Sequence, residues 1–335
     1  MTAEAALAVD LGGTDLRAAL VARDGRVLAH AAEPTRARAG PEAVIAQIAA
    51  LAGRVMAERP GLRPIGMGIG APGPLDPLAG LMIAPPTLDG WQNVPLAARL
   101  RERLGLPVWL ENDANAAALG EWRFGAGRGQ GTVVFVTVST GIGGGVITQG
   151  RVFHGSRGLA AEIGHMTIAG SGPRCFCGAV GCFEALASGT ALGRNGGRLA
   201  KRPGGEAIAQ QAEGGRITAR SVVGAARAGD AMAAGLVADE ARWLGRGFTN
   251  LLHLYSPDVI VLGGGLANAF DLLIGGIRAE INRRAMPAYR DVAVVPAALG
   301  SRAGLIGAAG LVFTAQDMQP GPHGAGAMEG GRQDG

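Results

Sequence analysis

The stretch AALAVDLGGTDLRAALV, residues 5–21, decides the fold. Residues 5–11 form an apolar run that reads as a buried strand, the chain breaks at Gly12–Gly13, and LRAALVA resumes as a second strand, which makes a glycine-turn hairpin. Residues 132–150, TVVFVTVSTGIGGGVITQG, repeat the same logic: an apolar strand, a small polar residue, glycines and an apolar return. Two such hairpins are what a fold built from two related lobes would show.

Outward from the first hairpin, helical patterning runs from about Pro41 to Arg59, followed by a strand PIGMGIGA (64–71) and a Pro/Gly loop APGPLDPLAG (71–80). A short helix is expected near Leu96–Leu104, then a strand PVWLE (107–111) and a helix beginning at about Asp113. Beyond the second hairpin, residues 155–190 read as loop-rich and roughly 205–254 as predominantly helical. The strand DVIVLGGG (258–265) runs into a helix at LANAF, DVAVVPA (291–297) is a further strand, and SRAGLIGAAGLVF (301–313) opens a final helix. Residues 317–335 have too little apolar content to pack and are expected to form a disordered tail.

A chain of 335 residues with a 48% hydrophobic fraction is long enough for two lobes with their own cores. No uninterrupted apolar run reaches the length of a membrane span, and MTAEAALAVD has no basic leader or cleavage signature, so a cytoplasmic protein without a membrane partner is expected. The pI near 9.5 accompanies a net charge of only +4. Thirty of the basic residues are arginines, scattered rather than gathered in a stripe, and aromatic residues make up only 4% of the chain, which argues against a nucleic-acid partner.

Between Glu162 and Glu184, His165 and all three cysteines, Cys175, Cys177 and Cys182, fall close together. One nitrogen and three sulfurs suit a four-coordinate zinc. A local disulfide is the competitor, but the cysteine count is odd and Cys175 and Cys177 are too close for comfortable bridge geometry. Four protein ligands close a zinc site, so this metal is expected to brace a loop rather than to activate water. Glu162, His165 and Glu184 then offer acceptors and donors suited to the hydroxyls of a polyol or sugar. If zinc takes one ring nitrogen of His165, the other is fixed as a donor.

Asp10, Gly12, Gly13 and Thr14 place a carboxylate, bare backbone amides and a hydroxyl within five residues, the chemistry of a phosphate cradle with hydrated magnesium. Ser139, Thr140 and Gly141 with Gly143–Gly145 repeat the offer at the second hairpin, and Gly263–Gly265 follow a strand where a nucleotide could approach bare backbone. The first cluster alone fits an ordinary tight turn about as well, a glycine triplet after a strand is more often a tight strand–helix connection, and none is a Walker A loop or a GxGxxG fingerprint. Glu111-Asn112-Asp113 follows a strand and opens a helix, which makes Asp113 a capping residue or a base for phosphoryl transfer, kept ionised by the helix terminus.

Together, VDLGGTDLR, GAPGPLD, ENDANAAALGE, VSTGIGGGV, EIGH, CFCGAVGCFE, LGGG and AGLIGAA resemble the ROK family of bacterial sugar kinases and sugar-responsive repressors, in order over residues 7–312. The resemblance implies an α/β, two-lobed actin-like ATPase (ribonuclease H-like) fold with a zinc-bound loop. Its small lobe would be residues 1–112, with a C-terminal helix at 301–316 packing back on it, and its large lobe 113–300. It further implies Asp113 as catalytic base, and Gly73, Asn112, Asp113, Glu162, His165 and Glu184 as sugar ligands. Asp10, Gly12, Gly13, Thr14, Thr140, Gly141, Gly264 and Gly265 would bind ATP and Mg2+, and His165, Cys175, Cys177 and Cys182 would hold a structural Zn2+. Many members have lysine where this chain has Asp15, a departure that touches the detail of phosphate binding. The hairpin motif begins within the first ten residues, whereas the family's repressors carry a DNA-reading domain ahead of it, so the kinase class is favoured. The expectation is ATP-dependent phosphorylation of a hexose at the 6-hydroxyl, most simply of glucose, by a homodimer or homotetramer. N-acetylmannosamine or N-acetylglucosamine kinases and a non-catalytic sugar-binding regulator are the alternatives.

Overall fold

A computed structural model describes residues 4–318. β1 (Ala5–Leu11) and β2 (Asp15–Ala22) pair antiparallel, with Ala5 opposite Ala22 and Leu11 opposite Leu16, which is the predicted hairpin. β3 (Val27–Pro34) adds antiparallel to β2. This strand was not predicted: it is an alanine-rich, half-exposed sheet edge whose sequence carries little of the usual β preference. α1 (Gly40–Ala57) buries Val44, Ile45, Ile48, Leu51 and Val55 at helical spacing and returns the chain to β4 (Pro64–Ala71), parallel to β1. A small ribbon, β5 (Leu75–Asp76) with β6 (Leu81–Met82), and α2 (Leu96–Leu104) precede β7 (Val108–Asn112), parallel to β4. The sheet order is β3-β2-β1-β4-β7.

α3 (Asp113–Phe124) leads to the second sheet, where β8 (Thr132–Val138), β9 (Ile142–Thr148) and β10 (Arg151–Val152) are antiparallel neighbours. A helical insertion of α4 (Phe183–Ala187), α5 (Gly189–Leu199), α6 (Glu206–Gln210), α7 (Ala219–Arg227) and α8 (Ala231–Tyr255) follows. Then come β11 (Val259–Gly263), α9 (Phe270–Arg284), β12 (Ala293–Pro296) and α10 (Ala303–Asp317). The order β10-β9-β8-β11-β12 repeats that of the first sheet, three antiparallel strands followed by two parallel ones, so the duplication legible in the two hairpins extends to both sheets.

Three boundaries differ from expectation. α5 stands where the sequence suggested loop and gap: the Ser188 side chain caps it at Ala191 N–H, but glycines at 189, 193, 196 and 197 blur its apolar period. After Gly263 the chain makes a 3-10 turn over Gly265–Ala269 before α9 starts at Phe270, so the glycine cluster does not open an α-helix directly. The final helix runs one residue into the expected tail, because Asp317 is held by Arg23 at 2.9 Å and Arg123 at 2.7 Å. Residues 319–335 of that tail lie outside the described residues.

α3 and α10 are the two connections between the sheets, and they stack between them. α3 follows β7 yet packs on β8 and β9, whereas α10 follows β12 and packs on β1 and β4. β1 accordingly alternates large and small: Leu7, Val9 and Leu11 join the core beneath α1, while Ala6 and Ala8 face Ala308 and Ala309 of α10. The helices meet backbone to backbone, since a Cβ on Gly307 would lie 1.7 Å from the Ala116 carbonyl oxygen. Among the described residues no helix is long and apolar enough to cross a membrane.

Candidate active site

β7 ends at Asn112, whose side chain caps α3 by accepting from Ala114 N–H (3.0 Å) and Asn115 N–H (3.3 Å). That fixes Asp113 in the first turn, with its side chain not covered over and Oδ1 accepting from Ala114 N–H at 2.8 Å. The helix terminus was expected to keep this carboxylate ionised at neutral pH. The surrounding protein strips water from Asp113 and outweighs the Ala114 N–H, the Asp10 and Glu162 carboxylates add repulsion, and its pKa rises to about 6. Asp113 is therefore mainly ionised at neutral pH but far more basic than an ordinary aspartate. Three acids from β1, the start of α3 and the loop after β10 converge here.

Asp10 is the penultimate residue of β1 and lies 3.7 Å from Arg17. Burial raises its pKa, opposed by Arg17 and reinforced by Asp15, so the aspartate after GGT bears on the cradle's charge. Of the two glycine amides expected to be bare, Gly12 N–H is already spent on Asp15 O at 2.9 Å, and the turn is further tied down by Thr35 Oγ1 donating to Gly12 O at 2.7 Å. The amides of Gly13 and Thr14 have no backbone partner among the described residues. Gly73 lies in the loop after β4, where a Cβ would sit 3.6 Å from Asn112 Nδ2.

The second hairpin turn is stitched to α5: Gly189 N–H donates to Ser139 O (2.8 Å) and Thr190 N–H to Thr140 O (3.4 Å). Gly264 adopts φ +81°, and a Cβ there would fall 2.4 Å from Val138 O, so only glycine lets the third cluster lie against this hairpin. A cavity of about 1260 Å³ opens beside it, lined by Thr140 and Gly265. Asp10, Gly12, Gly13, Thr14, Gly141 and Gly264 do not line it. Its walls instead carry Arg194, Arg198, Lys201, Arg216, Arg220 and Arg227, with Glu213 as the sole carboxylate. None of these cations was singled out from the sequence, although the spacing of 194, 198 and 201 is that of one helix face.

The ligand atoms of His165, Cys175, Cys177 and Cys182 all lie within 4.8 Å of one another. Cys177 and Cys182 Sγ are 3.7 Å apart, and Cys175 Sγ is 3.7 Å from His165 Nδ1. Two sulfurs at 2.3 Å from a tetrahedral zinc would be about 3.8 Å apart, so this donor set fits that ion, and the separation is too long for a disulfide. In the protein alone, burial first and the sulfurs of Cys177 and Cys175 next push the Cys182 thiol up to about 12. A divalent cation is what would hold it as thiolate. Glu184, in the first turn of α4, joins this cluster to the second hairpin: Oε2 accepts from Ile142 N–H at 3.1 Å and Oε1 is 3.9 Å from Cys175 Sγ. Glu162 immediately precedes the 3-10 turn Ile163–His165, so the two ends of the loop present Glu162, His165 and Glu184 from one braced segment.

The ROK family model matches residues 6–315 of the chain. Glucokinase of Thermotoga maritima is 37% identical over 308 residues, which covers 91% of this chain and 96% of that protein. Among solved structures, the ROK hexokinase from Thermus thermophilus aligns with a TM-score of 0.79 at 38% identity over 93% of this chain and 99% of its own. A ROK family glucokinase from Streptomyces griseus, solved in complex with glucose and AMPPNP, aligns with a TM-score of 0.77 at 35% identity over 92% and 98% of the two chains. With the hairpins, the acid at the start of α3 and the Cys/His loop all in place over nearly the whole length, the chain belongs to the ROK family.

Proposed function

We infer that the protein is an ATP-dependent glucose kinase that forms glucose 6-phosphate. The observation that carries this reading is Asp113, a carboxylate of raised pKa at a helix start where Asp10 and Glu162 converge, in a chain similar over almost its full length to glucokinases. Asp113 accepts the proton of the 6-hydroxyl as its oxygen attacks the γ-phosphorus, and the bond to the β–γ bridging oxygen breaks to release ADP. Asn112, Glu162, His165 and Glu184, with the backbone at Gly73, hold the other hydroxyls and fix the sugar's orientation. The amides of Gly13 and Thr14, the Thr14 and Thr140 hydroxyls and the backbone at Gly141 receive the phosphates, while Gly264, Gly265 and the adjoining cavity take the nucleoside. Asp10 would hold hydrated Mg2+, which when bound neutralises charge on the transferring phosphoryl group.

Zinc on His165, Cys175, Cys177 and Cys182 is proposed as a brace for the sugar loop. Residues 1–112 with α10 and residues 113–300 are proposed as the two lobes, closing over the sugar to exclude water. Three free cysteines arranged for a metal suit a reducing compartment, and we place the enzyme in the cytoplasm as a homodimer or homotetramer. A coupled ADP-release assay with MgATP across glucose, mannose, N-acetylglucosamine and N-acetylmannosamine tests the reading. Glucose should give the highest kcat/KM; an N-acetylated sugar in that place would transfer the assignment to it.

A further inference from the structure

One buried carboxylate has no part in the chemistry above. Glu111 precedes Asn112 in β7 and is only 2% exposed. Its Oε1 accepts from Asn112 N–H at 2.9 Å and from Asn115 Nδ2 at 3.0 Å, so one oxygen holds both the capping residue of α3 and the helix's first turn. Its Oε2 lies 2.6 Å from His154 Nε2. His154 follows β10, an edge strand of the second sheet, whereas Glu111 lies on β7, an edge strand of the first, so the pair bonds one half of the molecule to the other. The His154 carbonyl also accepts Ala160 N–H at 3.1 Å, closing a loop that ends two residues before Glu162.

We propose that Glu111 and His154 are positioning residues for sugar binding, a strut that sets Asn112 and Asp113, at the end of β7 and the start of α3, against the Glu162–His165 segment that follows β10. The inference rests on the glucose-kinase reading, because it gives those four residues a common ligand. A carboxylate is the group the geometry requires, since it accepts from three donors in different directions at once and offers none of its own. An apolar residue of similar size would leave a buried amide unpaired. The Glu111 carboxylate holds His154 above the usual imidazole range, against the opposing effect of burial, in keeping with a charge-assisted bond. With its side chain 26% exposed, His154 can be replaced with less damage to the core than Glu111.

The strut separates from a plain stabilising contact by its readout: a contact that only stabilises lowers the melting temperature and leaves the folded enzyme's affinity alone. Glucose affinity is measured by calorimetry without nucleotide, and turnover with MgATP separately, so that wild-type turnover reports on the kinase reading and the variants' binding reports on the strut. His154→Ala should weaken glucose binding about tenfold and lower kcat, with KM for ATP within about twofold of wild type. His154→Gln, whose amide nitrogen takes the place of Nε2, should recover most of the loss. Glu111→Ala/His154→Ala should bind glucose no worse than Glu111→Ala alone, since the two groups act as one unit. Glucose affinity and kcat of His154→Ala within twofold of wild type, or single-variant losses that simply add, would overturn the proposal.

Discussion

Glu121, near the end of α3, accepts the Leu299 N–H at 2.8 Å with one carboxylate oxygen, and Ala298 N–H (3.0 Å) and Ala126 N–H (2.9 Å) with the other. Leu299 lies in the link from β12 to α10, so a single fully buried side chain ties together both chain connections between the sheets. Glu121→Ala would leave three partly buried amides without acceptors and should cost about 1–3 kcal/mol of unfolding free energy in urea. A loss below about 1 kcal/mol would mean that water or another acceptor replaces it.

The close crossing of the same two helices is equally specific. Gly307→Ala would drive a methyl into the Ala116 carbonyl, 1.7 Å away, and backbone on a packed helix cannot yield as a flexible side chain does. Destabilisation of about 3 kcal/mol or more is expected, read from the denaturation midpoint at unchanged m-value. Gly275→Ala, which meets nothing within 4 Å, serves as the control and should be neutral or slightly stabilising.

As the proposed base, Asp113 should set the pH dependence. A base must be ionised to accept a proton, and its pKa is raised to about 6, so kcat/KM for glucose should be flat from pH 7 to 8 and fall about tenfold per unit below pH 6. An ordinary aspartate would keep nearly full activity down to about pH 5. The sign also bears on stability: ionised Asp113 is disfavoured in the fold, so its contribution is unfavourable above pH 6 and is relieved as pH falls from 6 towards 4.

Stripping the metal should act on the sugar rather than on the nucleotide. In the proposed zinc site the cluster would brace the loop that carries Glu162, His165 and Glu184, whereas the large cavity is lined from α5, α7 and the turn after β11. Chelation at pH 7.5 should raise thiol-reagent titre towards all three cysteines and increase KM for glucose at least about tenfold, reversibly on adding zinc. Unchanged glucose KM in metal-free protein would detach the cluster from sugar binding.

The parts of this fold legible in the sequence are those where burial on both faces leaves a continuous apolar run, as in β1, β4, β8 and β11, or where glycines punctuate a strand. The edge strands β3 and β10 were not, being short or half-exposed, and α5 was hidden because its glycines serve close packing rather than a periodic apolar face. Motif residues of the site could be named, but not how they are spent: Gly12 N–H is engaged within its own turn, and the acidity of Asp113 depends first on the protein that surrounds it and then on Asp10 and Glu162, far away in sequence. Glu111, adjacent to Asn112, reads in the sequence as one more strand residue; its three partners, on β7, α3 and the loop after β10, are brought together only by the fold.

The most direct measurement is turnover and glucose binding of Asp113→Asn on one metal-verified preparation. Loss of kcat by about a thousandfold or more, with the calorimetric Kd for glucose within about threefold of wild type, is the expected result for a base that acts on a bound hydroxyl. Near-normal kcat in that variant would contradict the assignment of Asp113 and with it the mechanism.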